Sequence, residues 1–193
     1  MIKFSYINIM SLIINFFGGP GIGKSTQSAG LFTEMKKQHM DVELTFEYPK
    51  IVAWEENFSA IKDQFFITAN QHRNISRLYG KVKYIIVDSP IILALIYKDR
   101  YNTSPEYPAM FYDEYFDQFI ISLFKKYNSL NVVLTRNDNT YDENGRFQKL
   151  DEAKQIDNDI KNKLVSNSIP FIEFNVHDKT HIDIFKYIKT NNI

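Results

Sequence analysis

Ser11-Leu-Ile-Ile-Asn-Phe-Phe-Gly18-Gly-Pro-Gly-Ile-Gly-Lys24-Ser25-Thr26 is the stretch that decides the fold. Ser11–Phe17 has the apolar run of a short buried strand, and it ends abruptly in glycines. Residues 18–25 then fit G-x-x-x-x-G-K-[ST], and Lys24–Gln38 follows with the pattern of a helix. Glycines let the backbone take conformations closed to other residues. Successive N–H groups then point inward and cradle phosphate oxygens, at the positive end of the helix that follows. Gly18, Gly19, Gly21, Ile22, Gly23, Lys24, Ser25 and Thr26 are therefore the expected cradle for ATP. Lys24 is expected to reach the β- and γ-phosphates, and the Ser25 hydroxyl to ligate Mg²⁺. A glycine turn that merely caps a helix would need neither the strand before it nor the lysine.

Outward from this stretch the chain alternates strand and helix. Strands are expected at Val42–Glu47, Val82–Val87, Asn131–Leu134 and Phe171–Phe174. Helices are expected at Phe58–Tyr79, Pro90–Tyr97, Ala109–Tyr127, Lys149–Ser168 and Ile182–Lys189. The first helix is expected to turn Ala29, Phe32 and Met35 to one side. The long helix is expected to bury Phe58, Ile61, Phe65, Ala69, His72, Ile75 and Tyr79 as one stripe. VKYIIV (residues 82–87) is apolar on both faces, which predicts a central parallel strand. The alternation implies an α/β fold, a parallel sheet with helices on both faces and right-handed crossovers. Ligands on such sheets sit at the carboxyl ends of the strands.

Several charged residues fall at those ends. Asp88 follows the third strand and is a candidate Mg²⁺ ligand or catalytic carboxylate. The other reading makes Asp88 or Ser89 the cap of a helix begun by Pro90. Glu47 follows the second strand and could take the proton of an acceptor hydroxyl. Its alternative is an exposed acid before a turn at Pro49. Arg136 and Arg146 flank the polar stretch 137–147, which reads as a closing lid whose arginines stabilise the transferring phosphoryl group; the alternative is a surface loop. On the long helix, Asn70, Arg73 and Arg77 share one face, and Gln64 and Gln71 share another. Gln64 and Gln71 are candidates for a base edge and Arg73 for a phosphate. Trp54, Tyr101 and Tyr107 are candidates for stacking on a base. His177 and His181 stand four apart with no carboxylate motif around them; they are expected to face solvent and not to bind zinc.

The bulk numbers set limits. At 193 residues the chain fits one domain, 1–193, with a core unaided by disulfides. Its 16 Phe and 12 Tyr point to an aromatic-rich core. Zero formal net charge offers no long-range attraction to nucleic acid or an anionic membrane. Zero cysteines exclude disulfides and thiolate metal sites, which fits a reducing cytoplasm, a host's if the chain is viral. The apolar N-terminus runs into the glycine loop without a small-residue cleavage site, so it is not read as a signal peptide, and it is too short and polar to span a membrane. Residues 1–9 are expected to be a dispensable extension or Met10 the start. Oligomeric state, a homodimer included, is left open.

The segments FFGGPGIGKST (16–26), FEYPKIVAWEE (46–56), KDQFFITANQHRNISRLYGKVKYIIVDSP (62–90) and LTRND (134–138) through YDENGRFQKLDEAKQID (141–157) resemble the P-loop kinases of the nucleoside and nucleotide kinase group. The chain is most similar to a phage-associated branch grouped with the ribosylnicotinamide kinase domain of the bacterial NAD regulator. The resemblance implies a three-layer P-loop NTPase fold, with five parallel strands in the order 2-3-1-4-5 and lid arginines mapping to Arg136 and Arg146. Glu47 followed by Trp54 is similar to deoxynucleoside kinases, in which that Glu activates the sugar hydroxyl. Those kinases carry Glu-Arg-Ser where this chain has Asp88-Ser89-Pro90, so their substrate does not carry over. The expectation is a kinase acting on a small nucleoside- or nucleotide-like acceptor. The alternatives are a kinase of modified bases in DNA, gripped by Arg73, Arg77, Lys81 and Lys83, and a nucleotide switch without an acceptor.

Overall fold

The structure, a computed structural model, describes residues 10–101, 114–137 and 149–193. Five strands, β1 (Leu12–Phe17), β2 (Val42–Thr45), β3 (Tyr84–Val87), β4 (Ser129–Thr135) and β5 (Ile172–Asn175), form one sheet in the order β2-β3-β1-β4-β5. Every pairing is parallel. The helices are α1 (Lys24–Lys37), α2 (Tyr48–Trp54), α3 (Phe58–Lys62), α4 (Gln64–Ser76), α5 (Leu93–Tyr101), α6 (Glu114–Lys125), α7 (Leu150–Ser166) and α8 (Thr180–Thr190). Both the doubly covered parallel sheet and the expected strand order are observed.

Alternation along β1 explains the layering. Ile14 and Phe16 pack with Leu31 and Met35 of α1 and with Ile184 and Ile188 of α8. Ile13 and Phe17, on the other face, pack with Leu95 of α5, Ile120 and Phe124 of α6, and Ile156, Ile160 and Leu164 of α7. Asn15 interrupts the apolar run. Its Nδ2 donates to Asn131 Oδ1 at 2.9 Å, and Asn131 Nδ2 donates to Pro170 O at 2.9 Å, so the central polar pair is satisfied. Among the described residues no helix is long and apolar enough to cross a membrane.

The largest departure from expectation lies in 58–79, which is not one helix. Two caps divide it. Asn57 accepts from Ala60 N–H at 3.2 Å and starts α3. Asp63, with ψ 90°, accepts from Phe65 and Phe66 N–H at 3.1 and 3.0 Å and starts α4. Capping carboxylates and amides satisfy orphan N–H groups, which favours a fresh start over a continuous helix. The break rotates the register. Gln64, Ile67, Thr68, Gln71 and Ile75 are buried, whereas Phe58, Phe65 and Ala69 are exposed. In α1 the buried face is likewise Gln27, Ser28, Leu31 and Met35, with Ala29 exposed. Pro49 opens α2 at its first turn rather than making a turn of its own, where its missing N–H costs nothing.

Candidate functional site

Parallel pairing brings all five carboxyl ends to one edge of the sheet. Gly18 follows β1, Glu47 lies two residues past β2, Asp88 follows β3 and Arg136 follows β4. Residues far apart in sequence thus converge.

The loop between β1 and α1 turns on its glycines. Gly23 precedes α1 with φ 93°, a left-handed conformation that glycine takes without strain. Lys24 Nζ donates to Gly18 O at 2.7 Å and to Gly19 O at 3.2 Å, so the lysine lies folded along the loop. Ile22 is buried and anchors the loop, while Ser25 and Thr26 are exposed at the start of α1.

Asp157 of α7 closes this loop from behind, and the sequence reading missed it. Its Oδ1 accepts from Gly19 N–H and its Oδ2 from Arg136 Nε, each at 2.5 Å. Arg136 Nη2 in turn donates to Pro20 O at 2.5 Å. One carboxylate therefore ties the loop, the end of β4 and α7 together. Gly19 is required by close approach: a Cβ there would sit 2.7 Å from Ala153 O and 2.9 Å from Asp157 Oδ1. A charged residue in the midst of a helix carried no signal beyond its spacing, since solvated acids on helices are common. Asp157→Ala should cost about 1.5–3 kcal/mol in urea unfolding, because Arg136 is left mostly buried without its carboxylate. An unchanged unfolding midpoint would reduce the triad to a surface contact.

A cleft of about 600 Å³ opens beside Lys24. Glu47, Ser89 and Pro90 line its mouth region, with Gln64, Ile67, Thr68 and Gln71 of α4 and Ile91, Leu93, Ala94 and Tyr97 on the α5 side. Gln71 Oε1 accepts from Tyr48 N–H at 2.9 Å. A backbone N–H can only donate, so the amide orientation is fixed. Gln71 Nε2 and Thr68 Oγ1 are then buried without a partner among the described residues. Burying such groups unpaired costs about 1–3 kcal/mol each, which a ligand would relieve.

Glu47 is partly buried, and its carboxyl is held above the ordinary carboxylate value of 4.5. Loss of hydration on burial is the largest cause; Lys24 and Lys50 oppose it and Asp88 adds to it. Asp88 is buried at the end of β3, and its Oδ1 has no hydrogen-bond partner among the described residues. The helix beyond it starts at Leu93, not Pro90, after turns such as Leu93 N–H to Pro90 O, so Asp88 does not cap it there. An orphaned buried carboxylate oxygen at the end of β3 is the kind of donor that suits Mg²⁺, a hard cation that takes oxygen ligands.

A second cleft, about 790 Å³, lies on the other side of the loop. Gly21, Ile22, Gly23, Thr26, Gln27, Arg136, Asn137, Val176, His177 and Asp178 line it. Arg136 thus faces this cleft, not the one holding Glu47. Gln27, buried in α1, braces its far wall by donating to His177 O at 3.0 Å and accepting from His181 N–H at 2.8 Å. His177 is exposed as expected and meets Asp183 at 2.8 Å; His181 is not, and packs over Gly30. Among the described residues no group of three or more His, Cys, Asp or Glu is placed to hold a metal ion.

The structure does not gather every candidate. Trp54 is 81% exposed and Arg73 is exposed, and neither lines either cleft. Arg77, Lys81 and Lys83 are exposed as well. Arg146, Tyr107 and residues 138–147 of the expected lid lie outside the described residues, as does the side chain of Tyr101.

A glycine loop joining strand to helix at the mouth of a 2-3-1-4-5 parallel sheet, with its lysine folded over it, defines a P-loop nucleotide-binding domain. A family model described as an AAA domain, AAA_28, matches residues 13–180, and the chain belongs to that family. Two thymidylate kinases from strains of Dehalococcoides mccartyi are 33% and 31% identical to it over 106 residues. Those matches cover 49% of this chain and 48% of each relative, so the match spans about half the length of the curated relatives. Among solved structures, NadR in complex with NR superposes with a TM-score of 0.66 at 14% identity, over 95% of this chain and 52% of that one. Deoxyadenosine kinase from M. mycoides with bound dCTP gives 0.61 at 19% identity, over 94% and 100%. These likenesses show the shared fold.

Proposed function

We propose that this chain is an ATP-dependent phosphotransferase whose acceptor is a small nucleoside- or nucleotide-like molecule. The observation that carries the reading is that Lys24 and Glu47 line one cleft. A phosphate-gripping lysine and a carboxylate able to accept a proton then face the same small volume. The relatives named as thymidylate kinases, and the fold shared with a deoxyadenosine kinase and NadR, support the same class of chemistry.

The roles follow from position. The N–H groups of Gly21–Ser25 bind the β- and γ-phosphates, and Lys24 swings from its contacts with Gly18 and Gly19 to the γ-phosphate. The second cleft takes the adenosine end of ATP, with Arg136 held at its edge by Asp157. Mg²⁺, where bound, neutralises charge on the phosphate oxygens; the Ser25 hydroxyl and Asp88 would hold it. Gln71 and Thr68 hydrogen-bond the acceptor, and the apolar wall of Ile67, Ile91 and Leu93 excludes water. Glu47 orients the acceptor hydroxyl and takes its proton. Arg146, in the proposed lid, supplies a further positive charge to the transferring group.

The test is ADP release from ATP with purified protein and Mg²⁺, over nucleosides, nucleoside monophosphates and nicotinamide riboside. Release should rise at least about 100-fold with the right acceptor, since an oriented hydroxyl outcompetes water. Hydrolysis at one unchanging rate across the panel would identify a nucleotide switch instead.

A further inference from the structure

The cleft that holds Glu47 has an unusual charge inventory for a site meant to receive a phosphate. Among the described residues Lys24 is the cation that lines it, and a P-loop lysine is committed to the phosphates of the donor. Glu47 lines the same walls, and Asp88 is close enough to bear on it electrostatically. The remaining lining is neutral: Gln64, Thr68, Gln71, Ser89, Tyr97 and apolar side chains.

The neighbouring cations are engaged in ion pairs or lie outside the lining. Lys98 pairs with Asp117 and Asp99, Arg100 with Asp159 and Glu152, and Arg136 with Asp157. Lys50 and Arg73 are exposed and line neither cleft, and Lys50, like Asp88, bears on Glu47 from outside the lining. The sequence sharpens the point for the segments without a described structure. Residues 102–113, NTSPEYPAMFYD, contain no Lys, Arg or His, and residues 138–148 contain Arg146 alone.

A phosphate monoester carries close to two negative charges at neutral pH. Proteins hold such groups with bidentate arginines, clustered lysines or helix N-termini. Here the lining offers an acceptor phosphate the Glu47 carboxylate and one lysine already claimed, while Asp88 and Lys50, outside the lining, oppose each other. Like charges brought together in a partly desolvated cleft cost several kcal/mol. An uncharged nucleoside meets no such penalty. Its hydroxyl can donate to Glu47, and its heterocycle can accept from the buried Gln71 amide, whose oxygen is already taken by Tyr48 N–H.

We propose that the acceptor is a nucleoside bearing no phosphate, so that the chain makes a monophosphate rather than a diphosphate. The proposal rests on the kinase reading of the same cleft. In the step, a bond forms between the nucleoside hydroxyl oxygen and the γ-phosphorus. The bond from that phosphorus to the β–γ bridging oxygen breaks, ADP leaves with the electron pair, and the hydroxyl proton passes to the Glu47 carboxylate.

The experiment compares matched pairs with the full chain, ATP and Mg²⁺: thymidine, deoxyadenosine and nicotinamide riboside, each against its own monophosphate. Product is read by mass spectrometry and binding by isothermal titration calorimetry. At least one nucleoside should be phosphorylated with kcat/KM about 100-fold or more above that of its monophosphate. Glu47→Gln should narrow the binding gap within that pair by about 10-fold, because the carboxylate that lines the cleft is gone. A monophosphate used as well as its nucleoside, or a gap that Glu47→Gln leaves unchanged, overturns the proposal and leaves the kinase reading standing. If no member of the panel accelerates ADP release, the kinase reading fails and takes this proposal with it.

Discussion

Lys24→Ala should lower acceptor-dependent ADP formation by about 1,000-fold or more while the circular dichroism spectrum stays that of a folded α/β protein. The magnitude is that of removing a preorganised charge aimed at developing negative charge in a site shielded from water. The structure explains why the fold should survive. Lys24 Nζ makes two contacts, at 2.7 and 3.2 Å, both to carbonyls of its own loop. Their loss costs on the order of 1 kcal/mol each, small beside the core against which β1 and α1 pack. Affinity for ATP should fall much less than turnover, because the backbone N–H groups that grip the phosphates are untouched. A variant retaining more than about a tenth of wild-type turnover would mean the lysine does not reach the reacting phosphoryl group.

Glu47→Gln should reduce turnover by about 100- to 10,000-fold, the range for losing a positioned general base, and should not destabilise the protein. Glutamine keeps the size and one acceptor oxygen of the side chain, puts an NH₂ donor in place of the other, and cannot take a proton. Because the Glu47 carboxyl sits above its ordinary value of 4.5, the acid limb of kcat/KM should lie above that value in the wild type. Lys24, Lys50 and Asp88 all bear on this group, so changes at any of them should move the limb: loss of Lys24 or Lys50 upward, loss of Asp88 downward.

The stability consequence has a definite sign. A carboxyl whose pKa rises on folding favours the native state when protonated, and that contribution is complete below the unfolded value. It is lost as pH rises through the folded value. At neutral pH the wild type therefore carries the cost of an ionised, poorly hydrated carboxylate that Glu47→Gln does not. The variant's Tm should equal or exceed that of the wild type at pH 7, and the two should converge as pH falls below the Glu47 pKa. A lower Tm across the whole range would show that Glu47 holds the fold together and would undercut its assignment to chemistry.

The P-loop, the parallel sheet and the strand-end positions of Glu47, Asp88 and Arg136 were legible because each depends on local chemistry. Glycine spacing permits a phosphate nest, apolar runs make buried strands, and parallel strands share one carboxyl edge. Chain-local reasoning failed at 58–79, where the apolar stripe suggested one helix. Asp63 ends α3 and starts α4, and a shift in helical register decided that Gln64, Thr68 and Gln71 face the cleft while Phe58 and Phe65 do not.

Other features belong to the tertiary structure alone. Asp157 is 138 residues from Gly19 and 21 from Arg136, yet one carboxylate serves both. Arg136 stands at a strand end as expected, but the partner it finds on α7 turns it toward the cleft opposite Glu47. The charge balance of the cleft that holds Glu47 is likewise invisible in a chain whose formal charge is zero. The sequence determined where phosphate can be held, because a backbone nest is built from consecutive residues. Only folding decided what surrounds it, because desolvation and charge neutrality are properties of a volume, filled by side chains that adjacency in the chain does not choose.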